Sequence, residues 1–131
     1  MTYSTFILAL TLWREGRGVS LAARSGIASV IRNRAQKRSD RNTAAACIAP
    51  MQFSGMTAPG DPNLVKWPSE FDPQWAECVS IAQTSGIDRT GGAIFYFTAP
   101  LTEPPEDWGR VVGTVVLDGV HFYRPDTPLA A

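Results

Sequence analysis

The chain has 131 residues, 44% of them hydrophobic and 18% charged, a balance that fits one globular domain and excludes a disordered segment. A domain of this size buries about two-thirds of its unfolded surface, enough for a proper core. Twelve basic side chains face twelve acidic ones, so the formal net charge is zero. Nucleic-acid binders carry a basic excess, and that class is disfavoured on this ground. No apolar run is long enough to span a bilayer, so stable membrane insertion is not expected.

The first predicted element is a helix over residues 4–15. Phe6, Ala9, Leu10 and Trp13 recur on one helical face, and Gly16-Arg17-Gly18 reads as the stop. Glu15 then falls in the last turn, beside carbonyls that carry partial negative charge. That position disfavours an anion and favours a carboxyl that keeps its proton. A general acid for glycosidic-bond cleavage needs such a group. A solvated glutamate preceding a turn is the alternative.

Ser20 is the N-cap of a second helix, 21–37, with Ile27, Val30, Ile31 and Arg34 on one side. Its end carries Arg32, Asn33, Arg34, Lys37 and Arg38, with Arg41 beyond; such clusters are usually solvated. Residues 43–47 fit a short helical turn. Five prolines and two glycines between 49 and 73 predict an irregular loop. Met51, Phe53, Met56 and Trp67 within it argue for the wall of a groove.

Asp72-Pro73 starts a helix to about residue 84, with Trp75, Cys78, Val79 and Ala82 at helical spacing. Residues 92–98 have strand propensity, and 103–107 read as a surface turn. Val112 to Leu117, Asp118-Gly119 and Val120 to Tyr123 form a hairpin with a type I′ turn signal. Cys47 and Cys78 are either a bridge, adding roughly 3–4 kcal/mol, or buried free thiols. Two cysteines and one histidine do not make a zinc site, so no metal and no cofactor are expected.

Trp13-Arg14-Glu15-Gly16-Arg17-Gly18, followed by a helix ending Val30-Ile31-Arg32-Asn33-Arg34, resembles the start of the SleB-type cell-wall hydrolase domain. Gln52-Phe53-Ser54, Thr90-Gly91-Gly92-Ala93 with aromatics at 95–97, and His121-Phe122-Tyr123-Arg124 continue the resemblance in order. It spans roughly residues 5–124. That family includes spore cortex-lytic enzymes and phage lysins. Gly16 stands where the family usually has Ala, Val19 where it has a second Glu, and Phe95 where it often has Tyr.

The resemblance implies a mainly helical, lysozyme-like α+β domain with a C-terminal β-hairpin, occupying residues 1–131. It implies that Glu15 is the catalytic acid/base and that peptidoglycan glycan strands are the substrate. Gln52 and Tyr96 would position the sugar, and Phe53 and Trp67 would form the groove wall. Arg17 is read as structural, since pairing with Glu15 would work against an acid role. His121 is read as a packed strand residue, and the basic cluster as a secondary candidate for contact with peptide-stem carboxylates. The family is assigned lytic transglycosylase chemistry with one carboxylate, or muramidase action. A muramidase would need a second acid, for which Asp61, Glu70, Asp72 and Asp88 are the candidates. A non-catalytic wall-binding or structural phage protein is the rival from another class.

The N-terminal stretch lacks a basic n-region and a cleavage site, so it is not read as a signal peptide. The expectation is a monomer made in the cytoplasm and acting on the wall after release, either as a phage lysin or as a catalytic domain cut from a longer precursor that carried the signal.

Overall fold

The computed structural model describes residues 1–49, 52–84 and 86–126. Helix α1 (Tyr3–Gly16) starts at Thr2, whose hydroxyl accepts from Thr5 N–H, and every residue from Ile7 to Arg14 is buried. It is therefore a central helix buried all round, rather than the one-faced helix its periodicity predicts. Helix α2 (Leu21–Gln36) is capped by Ser20, α3 (Thr43–Ile48) by Asn42, and α5 (Pro73–Gln83) by Asp72. Each cap oxygen takes one N–H that the first helical turn leaves free.

The 49–73 region is less irregular than its prolines predict. It holds the short helix α4 (Ser54–Thr57) and a 3-10 turn, Pro62–Val65. Met51 lies outside the described residues. Two side chains of α1 pin this region. Arg14 donates from Nε to Lys66 O at 3.1 Å and from Nη1 to Gly55 O at 3.2 Å. Glu15 accepts from Gly55 N–H.

Strands β1 (Phe95–Phe97), β2 (Val111–Leu117) and β3 (Val120–Pro125) form an antiparallel sheet in the order β1-β3-β2. Asp118 and Gly119 both have positive φ, 48° and 79°, as the type I′ hairpin requires. β1 is shorter than the 92–98 expected. A second 3-10 turn, Glu106–Trp108, stands where the surface turn was expected. The sheet lies on α2 where Gly26 leaves room: a Cβ there would meet Phe122 Cζ at 2.6 Å.

The end of α2 ties the β1 lead-in to the helices. Asn33 donates to Ala93 O at 2.9 Å and Arg34 Nε to Ile94 O at 2.7 Å. Arg32 donates to Ile81 O and Thr84 O, closing the end of α5. Half of the basic cluster is thus structural. Cys47 and Cys78 are buried free thiols, and burial pushes the Cys47 thiol up to about 11.

Candidate active site

Glu15 lies at the C-terminal end of α1, half-buried, with Oε1 accepting from Gly55 N–H at 3.0 Å. Burial is the main cause that lifts its carboxyl above the ordinary carboxylate range. The Gly55 N–H pulls the other way, and the charge of Asp61 adds upward. The raised value has a different origin from the helix-end argument: desolvation dominates.

Glu15 opens into a cleft of about 510 Å³. Gln52, Phe53, Ser54 and Arg34 line it from the helical side, and Phe95, Tyr96, Asp107 and Trp108 from the sheet side. Phe95 and Trp108 stack with centroids 4.7 Å apart and planes at 14°. Tyr96 is half-buried; burial first, and the charge of Glu15 second, push its hydroxyl up, while Arg34 opposes them. The cleft therefore joins a protonatable carboxyl, an amide, a phenol, a guanidinium and an aromatic platform.

Three of the four expected sugar contacts, Gln52, Phe53 and Tyr96, line this cleft with Glu15. Phe53 does so differently from expectation. It is 3% exposed, part of the core, with the Arg34 guanidinium over its ring at 5.2 Å. Its ring is a floor and offers no open stacking face. Trp67 is a correction: it is 64% exposed but does not line the cleft, and Arg14 stands over its ring at 4.8 Å. The Arg14 bonds to Gly55 and Lys66 turn the 66–67 segment to that position. The aromatic pair that lines this cleft is Phe95 with Trp108 instead. The signal for Trp108 was a lone tryptophan after a Pro-Pro-acid run, and periodicity gives such a residue no partner.

Asp72 caps α5 through Gln74 N–H and accepts Trp13 Nε1 at 2.8 Å. Asp88 takes N–H groups of Thr90 and Gly92 at 2.8 and 2.7 Å, building the turn before β1. Asp61 caps the first 3-10 turn and acts on Glu15 only through its charge. Glu70 is exposed. None of these four lines the cleft; Asp107 does. Arg17 bonds Asn63 and covers the Trp13 ring at 4.3 Å, and Glu15 has no ion pair among the described residues. His121 stacks on Phe97 at 4.9 Å, outside the cleft. Among the described residues, no three His, Cys, Asp or Glu side chains gather as a metal-binding group. Nor is any helix long and apolar enough to cross a membrane.

No protein-family model and no curated protein matches the chain. Among solved structures, it is similar to the catalytic domain of the germination-specific lytic transglycosylase SleB from Bacillus anthracis, with a TM-score of 0.70. The two share a fold. Sequence identity is 21%, and the likeness covers 95% of this chain and 97% of that one. The lysozyme-like α+β architecture with its C-terminal hairpin follows from it.

Proposed function

We propose that this protein cleaves the peptidoglycan glycan strand between N-acetylmuramic acid and N-acetylglucosamine, with Glu15 as acid/base. One observation carries the reading: a half-buried carboxyl, held by one backbone N–H and lifted above the ordinary range, faces a sugar-sized cleft. The SleB-like fold supports it.

The chemistry follows from that carboxyl. Protonated Glu15 gives its proton to the glycosidic oxygen as the C1–O bond breaks, and the bonding pair leaves with that oxygen. Positive charge develops at C1 of the muramic residue. The C6 hydroxyl of the same sugar then attacks C1 and passes its proton to the Glu15 carboxylate. A 1,6-anhydro end results, no water is consumed, and Glu15 returns to its starting state. Gln52 and the Tyr96 hydroxyl would bond the acetamido group, and Phe95 with Trp108 would stack on a sugar face; that all four line the cleft supports this reading.

Asp107 favours a second reading. It is a carboxylate on the same cleft, so it could serve as the base that activates water in a hydrolytic muramidase. The two readings differ in product. Peptidoglycan digested by the protein, reduced with borohydride and analysed by mass spectrometry should yield anhydro-muramic ends that resist reduction. Reducible muramic ends that disappear in Asp107→Asn would establish the hydrolase. No new ends of either kind would sink both readings and leave a wall-binding protein.

A further inference from the structure

A second cavity, about 220 Å³, adjoins the cleft and is lined by Arg34, Lys37, Arg38, Ala46, Ala49 and Gln52. Arg34 and Gln52 line both cavities, so the two meet across these side chains. Arg34 stands in the last turn of α2, Lys37 is its C-cap and Arg38 follows, so three cations line this cavity at the end of the helix. Ala46 in α3 and its C-cap Ala49 contribute small side chains to the lining.

The charge does not cancel within the cavity. Arg38 is bonded to Asp40 at 3.0 and 3.1 Å, which offsets one cation. Among the described residues Arg34 bonds only a backbone carbonyl, and Lys37 is exposed with no ion pair. A helix end favours cations through its dipole, which accounts for their sign. The dipole does not account for a concave site open to the cleft, and the neutral net charge of the chain makes this local excess informative.

We infer that this cavity is an anion subsite that takes a carboxylate of the stem peptide on a muramic residue bound in the cleft. The inference rests on the proposed glycan-cleaving function. Muramic acid differs from glucosamine by a lactyl ether at C3, and that ether carries the peptide sideways from the strand. A strand in the cleft therefore needs a lateral exit for an anionic branch, and the Arg34–Gln52 junction supplies one of matching charge. The protein thus selects peptide-bearing strands over bare ones.

The test compares purified peptidoglycan with the same glycan stripped of its peptides by an amidase, the lactyl carboxylates so exposed being converted to neutral amides, at low and raised salt. Wild type should cut the peptide-bearing strands roughly three- to tenfold faster in kcat/KM, and added salt should shrink the ratio. Lys37→Ala/Arg38→Ala should cut peptide-bearing strands no faster than bare ones. Arg41→Ala, an exposed cation outside the cavity, should keep the wild-type ratio. Circular dichroism would establish that each variant is folded. Equal rates on both substrates for wild type, or an unchanged ratio in the double variant, would overturn the subsite and leave glycan cleavage standing. Cleavage of neither substrate would overturn the functional reading and the subsite with it.

Discussion

The backbone N–H of Gly55 donates to Oε1 of Glu15 at 3.0 Å, and glycine is the residue that permits it. A Cβ at position 55 would lie 2.9 Å from that oxygen and 3.2 Å from Asn63 Cβ. The bond orients the carboxyl while burial favours its protonated form, and Arg14 fixes the loop by holding the carbonyl of the same glycine.

Gly55→Ala should therefore displace the Glu15 carboxyl with the fold retained. We expect cell-wall lysis to fall up to about 100-fold, mainly in kcat, because a misplaced acid loses its near-attack geometry. Circular dichroism and turbidity clearance on one preparation measure both effects.

Glu15→Gln should abolish lysis and leave the protein folded. The sign of its effect on stability follows from the raised carboxyl. A group whose folded pKa lies above its unfolded value stabilises the fold at acid pH, and that contribution is lost as pH rises through the folded pKa. Above the folded pKa the charged carboxylate is a burden that neutral Gln removes. Thermal melts should place the variant at or above wild type on the alkaline side of that pKa, with the gap closing below the ordinary carboxylate pKa.

Asp61→Asn should move the alkaline limb of the activity profile to lower pH. The Asp61 charge raises the Glu15 carboxyl, so its removal lets Glu15 lose its proton earlier. Asn can still accept from Asn63 N–H, which preserves the 3-10 turn. An unmoved limb in a pH–rate titration would separate Asp61 from the acid.

Trp108→Ala should raise KM by roughly three- to tenfold, the loss of one aromatic stacking partner. Trp67→Ala should change it by less than about twofold, since that ring covers Arg14 outside the cleft. Saturation curves on solubilised glycan strands distinguish the two.

Gly26→Ala should destabilise the protein by about 1–3 kcal/mol through overpacking against Phe122 and Leu117, as measured by urea unfolding. The hairpin it supports was legible beforehand because Asp118-Gly119 imposes a turn by local backbone preference alone. The close approach at Gly26 was not, since a glycine inside a helix looks the same whether or not a sheet rests on it.

Local chemistry carried much of this protein. The caps at Ser20 and Asp72, the stop after Glu15, the hairpin, and the placement of Glu15 in a last helical turn depend on neighbours in the chain. Short-range hydrogen bonds and φ preferences decide them, and a sequence displays both directly. Tertiary structure decided the rest. Burial of α1 on all sides, the desolvation that raises Glu15, the retreat of Phe53 into the core and the turning of Trp67 onto Arg14 are long-range outcomes. So is the meeting of Glu15 with Asp107 and Trp108, more than ninety residues away along the chain, across one cleft. Desolvation and cleft shape depend on which distant surfaces meet, and no local pattern records that.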